Sequence, residues 1–169
     1  TRGPQGKAET LWIIDSAGIA EQQLVGERPD NYNAGENQIG DVVWADNRTI
    51  YLNTLAQQVP TYIPLNNTYR VDSLTREISL IAEPTVGGRI SISPDGQNIV
   101  FQGNRYGNND LFAIKAAGSR PLRLTHHSTS DSAPVFDNKG TILFTTRRNF
   151  LQVEREREIH QVSVTGGTP

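Results

Sequence analysis

The stretch at residues 90–125 reads ISISPDGQNIVFQGNRYGNNDLFAIKAAGSRPLRLT, and it decides the fold. It contains short runs of apolar and β-branched residues separated by turn-forming residues such as Pro94-Asp95-Gly96 and Ala117-Gly118. Runs of this kind bounded by Gly, Pro, Asn and Asp are typical of β-strands. The stretch therefore predicts a meander of antiparallel strands at residues 90–92, 98–102, 111–114 and 122–125.

The same pattern recurs along the chain. Residues 110–114 with Gly118 match residues 10–14 with Gly18, without a gap between the two sets. A polar turn followed by an apolar strand comes after Trp44, Ile92 and Phe136, so the unit repeats after 48 residues and then after 44. A period of about 40–50 residues that carries four strands is the signature of a β-propeller blade.

The rest of the chain fits this unit. Further strands are predicted at residues 10–15, 21–25, 41–45, 49–54, 68–72 and 77–82, and the last blade occupies residues 133–164. Residues 26–40 and 83–88 are predicted as crossovers between blades. Residues 55–67 are predicted as an irregular insert, because Pro60 and Pro64 disfavour a central strand.

We therefore predict an all-β fold, a partial β-propeller of four-stranded antiparallel blades, with residues 1–169 as one propeller segment. The blade parts are residues 1–26, 39–82, 89–125 and 133–169, with two, four, four and three strands. Propellers close with about four to eight blades, so we expect a segment of a larger propeller that was cut or processed from a longer chain. An alternative joins the first and last parts into a three-bladed ring.

Several of these residues resemble the WD-repeat-like blades of the TolB family. The resemblance lies in the Ser93-Pro94-Asp95-Gly96 turn, the polar loop and strand at residues 104–114, Leu124-Thr125, and the opening at residues 133–136. Similar blades occur in propellers of prolyl-oligopeptidase-like and tricorn-like peptidases and in oligogalacturonate lyases. The resemblance implies a propeller in the periplasm or cell envelope.

Composition excludes several classes of function. The formal net charge of −2 gives no general attraction to nucleic acid, and no apolar run is long enough to insert into a membrane. The absence of cysteine excludes disulfides, thiolate metal sites and a cysteine nucleophile. We find no nucleophile elbow and no phosphate loop, and we expect no cofactor and no catalytic residue in this stretch.

A metal site is the first candidate for chemistry. His126, His127 and Asp131 follow the last strand of the third blade, and imidazole with carboxylate suits zinc or manganese. Adjacent residues of an extended segment point to opposite sides, so a polar crossover is the favoured interpretation. His160 is interpreted as a cross-strand surface residue rather than as a catalytic base.

A charged hairpin is the second candidate. Candidate partner-binding residues surround the loop before the last predicted strand: Arg147, Arg148, Glu154, Arg155, Glu156 and Arg157. The alternative is a solvated hairpin whose charges deter edge pairing.

The aromatic residues Trp44, Phe101, Phe112, Phe136 and Phe144 fall at repeated strand positions, which predicts packing between blades. On this interpretation, Phe136→Ala costs about 3–5 kcal/mol.

The function that we expect is a non-enzymatic scaffold whose loops bind a protein or peptide, because propeller strands pack blade against blade and leave their loops at two faces. One alternative is an accessory propeller of a serine peptidase whose catalytic domain lies outside these residues. A metal-dependent polysaccharide lyase is a further alternative.

Overall fold

The computed structural model describes residues 10–25, 36–57, 64–85, 89–104, 106–147 and 157–166. These residues form thirteen β-strands: β1 (Leu11–Ile14), β2 (Glu21–Val25), β3 (Glu36–Trp44), β4 (Thr49–Gln57), β5 (Pro64–Asp72), β6 (Ile78–Thr85), β7 (Ile90–Ile92), β8 (Asn98–Gly103), β9 (Asp110–Lys115), β10 (Leu122–Arg123), β11 (Ser132–Phe136), β12 (Ile142–Thr146) and β13 (Glu158–Val162). We find among them no helix with the length and apolar character that a membrane crossing requires.

Each sheet pairs consecutive strands. The sheets are β1-β2, β3-β4-β5-β6, β7-β8-β9-β10 and β11-β12-β13, and all of their strand pairs are antiparallel. Within the described residues the sheets contain two, four, four and three strands, which agrees with the predicted numbers. Because every connection joins neighbours, each sheet is a simple meander.

The sheets pack face to face in the order of the chain. Alternation along β8 sends Ile99 and Phe101 to one face, where they meet Tyr51 of the second sheet. It sends Val100 to the opposite face, where a second cluster contains Ile142 and Phe144 of the fourth sheet. A third cluster joins the first two sheets through five buried residues: Leu24, Ile50, Leu52, Tyr69 and Val71. Each buried side chain of this size contributes about 1.5–3 kcal/mol, so these clusters are the core of a partial propeller.

Side chains also join the inner strands of successive sheets. Asp41 on β3 accepts a hydrogen bond from the backbone N–H of Ile90 on β7, with 3.1 Å between the nitrogen and Oδ2. Ser91 on β7 accepts one from the backbone N–H of Phe136 on β11, also at 3.1 Å. The same kind of bond at successive blade junctions fixes how one sheet follows the next.

The predicted turn repeat is confirmed in detail. Asp46, Asp95 and Asp137 each accept a hydrogen bond from the backbone N–H two residues further on, at 2.7, 3.0 and 2.8 Å. The carboxylate thus stabilises the turn between the first two strands of its sheet by accepting from a backbone N–H within the turn. One local interaction therefore marks the same position in three sheets.

The second sheet is longer than predicted. Residues 36–40 and 83–85 were expected in crossovers and belong to β3 and β6, and parts of the expected insert at residues 55–67 belong to β4 and β5. The hairpin continues because Ala56 pairs with Leu65 and Gln57 with Pro64. Pro64 is the first residue of its strand, where the missing N–H is tolerated. Pro60 lies outside the described residues.

The aromatic prediction is correct for three residues and wrong for Trp44. Phe101, Phe112 and Phe144 are buried, Phe136 is half-buried against the third and fourth sheets, and the side chain of Trp44 is 48% exposed. Trp44 pairs with Ile50, which lies on the face toward the first sheet. The first sheet has two described strands, and the hydrophobic cluster that it shares with the second sheet contains Ile50 but not Trp44.

The half-buried position of Phe136 lowers the cost expected for its truncation. We expect Phe144→Ala to destabilise the protein by about 3–5 kcal/mol, because Phe144 is 1% exposed, and Phe136→Ala to cost about half as much. Urea denaturation of both variants measures the difference. Equal losses for the two variants would show that the register of the fourth sheet is wrong.

Candidate functional site

Three connections lie at the same end of the strands in the third and fourth sheets. The chain leaves β8 at Gly103 and enters β9 at Asp110, leaves β10 at Arg123 and enters β11 at Ser132, and leaves β12 at Thr146 and enters β13 at Glu158. Antiparallel neighbours place these ends together. We call the described residues of these connections, 104, 106–109, 124–131, 147 and 157, the loop face.

A buried ion pair lies beneath the loop face. Asp110 is fully buried, and its Oδ2 lies 2.6 Å from Nη2 of Arg123. The guanidinium of Arg123 also lies 4.3 Å from the ring centre of Tyr106, and its Nε donates to the carbonyl of Thr125 at 2.9 Å. Burial raises the pKa of Asp110 although Arg123 acts against this shift. The pair ties the start of β9 to the end of β10.

Hydrogen bonds join two connections of the loop face. The side-chain amide of Asn108 donates to the carbonyls of His127 and Thr129 at 2.8 and 3.1 Å. The backbone N–H of Asp131 donates to the carbonyl of Asn109 at 2.7 Å. These bonds hold the crossover between the third and fourth sheets against the loop that precedes β9.

The residues of the metal hypothesis do not converge. His126 is exposed, whereas Nδ1 of His127 lies 2.8 Å from Oγ1 of Thr129 in its own connection, and Asp131 is fully buried. Among the described ranges, no group of three or more His, Cys, Asp or Glu residues is placed to hold a metal ion.

A polar cavity of about 220 Å³ opens on the loop face. Its lining residues lie in the loop before β9, in the crossover, on β11 and β12, and in the connection between β12 and β13: Asn109, Ser130, Ser132, Thr145, Thr146, Arg147 and Arg157. Two of the predicted partner-binding residues, Arg147 and Arg157, therefore contribute to one cavity. The others, Arg148, Glu154, Arg155 and Glu156, lie outside the described residues.

Local backbone irregularity sets one wall of this cavity. The pairing of β11 with β12 shifts register between Ser132 and Val135, and Ala133 within the shift has a φ of 52°. A left-handed conformation disfavours alanine by about 1–2 kcal/mol. The irregularity places Ser132 in the wall beside Thr145, whose hydroxyl donates to the Ser132 carbonyl at 3.1 Å.

His160 lies beside the cavity hairpin and faces inward. It pairs across the strands with Phe144, and the two ring centres lie 6.0 Å apart, so the predicted surface position is wrong. The ring is partly buried, and its Nε2 lies 2.9 Å from Oε2 of Glu158. His160 is therefore a packing residue at the junction of the third and fourth sheets.

The hydroxyl residues of the cavity were not found from the sequence. Ser130, Ser132, Thr145 and Thr146 belong to three different strands or connections, and none stands in a recognisable motif. They share only their position, because each lies at or near a strand terminus at the same end of the two sheets. That feature becomes visible only when the order of the strands is known.

Comparison with solved structures identifies the class of protein as a β-propeller, which the four packed sheets already indicate. TolB from Acinetobacter baumannii matches with a TM-score of 0.63 and 20% identity, over 94% of this chain and 36% of that chain. No protein-family model matches the sequence, and a comparison with curated proteins gives no match. The chain thus has a TolB-like β-propeller fold.

Enzymes share this fold. An oligogalacturonate lyase in complex with manganese matches with a TM-score of 0.69 and 16% identity, over 91% of this chain and 45% of that chain. The β-propeller domain of the Trilobed protease from Pyrococcus furiosus, which has an open velcro topology, matches with a TM-score of 0.59 and 9% identity. The match covers 79% of this chain and 42% of that chain. The chain spans less than half the length of these three structures, and identities this low show the fold alone.

The raised pKa of Asp110 predicts an unusual response to pH. A raised pKa contributes stability that is fully present below the ordinary carboxyl pKa of 3.8 and is lost as pH rises through the folded-state pKa. We therefore expect Asp110→Asn to cost more stability at about pH 3 than at about pH 7. Chemical denaturation at both pH values measures this change.

Asp95→Asn is the matched control for this experiment. The hydroxyl of Ser93 and the backbone N–H of Gln97 lower the pKa of Asp95, so its contribution is present above 3.8 and is lost as pH falls through the folded-state pKa. Asp95→Asn should therefore cost less stability at about pH 3 than at about pH 7, which is the opposite of the trend expected for Asp110→Asn. The same trend for both variants would mean that attraction to Arg123, not burial, dominates at Asp110.

Proposed function

We propose that this chain is a non-enzymatic propeller scaffold that binds a protein or peptide partner on its loop face. The observation that carries the proposal is the set of hydrogen bonds between Asn108, Asn109 and the crossover at residues 127–131. Connections held by a rigid framework bind with little loss of conformational entropy, and binding residues are often placed on such loops. The buried Asp110–Arg123 pair supports the same framework from below.

The size of the cavity favours a macromolecular partner. Sites that enclose a complete small molecule have volumes of about 300–1,000 Å³, and the cavity of about 220 Å³ on the loop face is smaller. It is large enough for one side chain of a partner whose other contacts lie on the surrounding surface. Single anchoring side chains in pockets are typical of protein interfaces.

Site-directed photocrosslinking in the cells that produce the full-length protein tests this proposal. A photoreactive amino acid at Ser130 should give a discrete adduct with a protein partner, because Ser130 lines the cavity. Asn138 is the control, since it is exposed in the turn at the other end of β11. Adducts at neither position, or equal adducts at both, contradict binding on the loop face.

The enzymatic alternatives make different predictions for the full-length protein. An accessory propeller of a serine peptidase requires a hydrolase that cleaves oligopeptides and reacts with a fluorophosphonate reagent. A lyase like the manganese-bound neighbour requires metal at stoichiometric level. Our proposal predicts no such reaction and no such metal, and labelling followed by elemental analysis separates the three functions.

A location in the periplasm or cell envelope, inferred from the resemblance to TolB, is part of the proposal. Fractionation of the producing cells tests it, and recovery of the protein in the cytosolic fraction contradicts it.

A further inference from the structure

We infer that the cavity lined by Arg147 and Arg157 is a subsite for a carboxylate group, supplied by an acidic side chain of the protein partner. The inference rests on the proposed function and specifies the chemistry that the partner brings to the loop face. It is carried by the charge of the cavity, by its hydroxyl groups and by its size.

Among the described residues, no ion pair uses the positive charge of the cavity. Arg147 and Arg157 are both exposed, and within the described part of the chain neither guanidinium takes part in an ion pair. Three carboxylates adjoin the cavity residues in sequence: Asp110 lies 2.6 Å from Arg123, Glu158 lies 2.9 Å from His160, and Asp131 is fully buried. A guanidinium presents several N–H donors in a planar fork that matches the two oxygens of a carboxylate.

Hydroxyl groups add donors in the wall of the cavity. Thr146 is 1% exposed, and its Oγ1 has no hydrogen-bond partner among the described residues. Ser130 Oγ accepts from the backbone N–H of Asn109 at 3.3 Å, so its own proton remains able to donate. A carboxylate accepts about four hydrogen bonds, which two guanidinium groups and two hydroxyl groups can supply together.

The geometry favours the carboxylate of a side chain over larger anions. The volume of about 220 Å³ suits one short side chain, whereas a uronate oligosaccharide brings a ring at every carboxylate. Two arginines at the mouth of a small site recognise a planar group well, and they also attract a tetrahedral phosphate. The experiment therefore includes a peptide carboxylate, a uronate and a phosphate.

Titrations followed by amide NMR of the ¹⁵N-labelled full-length protein at low ionic strength test this inference. The probe is a tripeptide with blocked ends and a central aspartate, and the control peptide has asparagine in its place. We expect the aspartate peptide to shift the amide signals of Ser130, Thr145 and Thr146 and to bind more tightly than the asparagine peptide. Added salt should weaken this binding, because exposed charges are screened.

Variants assign the effect to the cavity. Arg147→Gln and Arg157→Gln should each weaken binding of the aspartate peptide by about three- to tenfold, as expected for a partly exposed charge-assisted contact. Arg120→Gln is the matched control, because Arg120 is exposed in the turn between β9 and β10 at the opposite edge of the sheet. Thr146→Val should weaken binding without lowering the melting temperature, since its hydroxyl has no partner among the described residues.

Several results would overturn the inference. Equal binding of the aspartate and asparagine peptides would do so, as would equal effects of Arg120→Gln and the two cavity variants. Tighter binding of trigalacturonate or of inorganic phosphate, with loss in the arginine variants, would assign the cavity to another anion. If any of these results occurs while the Ser130 adduct persists, the carboxylate subsite is wrong and the scaffold function stands.

Discussion

The structure depends on the burial of both faces of the second and third sheets, each by its two neighbouring sheets. β8 and β9 show this most clearly, because their consecutive side chains alternate between the cluster shared with the second sheet and the cluster shared with the fourth. Strands with two buried faces need continuous apolar sequence, and the burial of Leu111, Phe112 and Ala113 in a row satisfies that need. The same constraint explains the exposed apolar side chains of the outer sheets, where Trp12 and Ile14 lie on one side and Val135 and Ile159 on the other. A sheet with one described neighbour has one apolar face that this neighbour cannot cover.

Polar contacts restrict how the packed sheets are positioned relative to one another. The clusters are non-directional and would tolerate small slides of one sheet over another. The bonds from Asp41 to the N–H of Ile90 and from Ser91 to the N–H of Phe136 set the position of each inner strand. The Asp110–Arg123 pair does the same at the loop face, at the cost of burying a charge. The loop face is therefore held by contacts that stabilise little but allow one geometry.

The sequence predicted the features that depend on local interactions. Turns closed by Asp46, Asp95 and Asp137 and the period between them are properties of short segments, so they could be read without the structure. The length of the β4-β5 hairpin and the exposure of Trp44 depend on which strands lie opposite, which the local pattern does not contain. For the candidate site, charge pattern indicated Arg147 and Arg157, but the hydroxyl walls arise from three separate segments. Their meeting depends on the irregular start of β11 at Ala133, where sequence gives no Gly or Asn to indicate a positive φ.

The irregularity at Ala133 connects the fold to the proposed function. A regular strand with alanine in extended conformation would avoid a cost of about 1–2 kcal/mol, so the surrounding contacts must impose the left-handed conformation. One such contact is a hydrogen bond of 3.3 Å, which the backbone N–H of Ala133 donates to the side-chain carbonyl of Gln102 on β8. The strain lies beside Ser132 in the wall of the arginine-lined cavity and at the junction between two sheets. The junction that positions the fourth sheet on the third therefore also shapes the cavity in which we infer the carboxylate subsite.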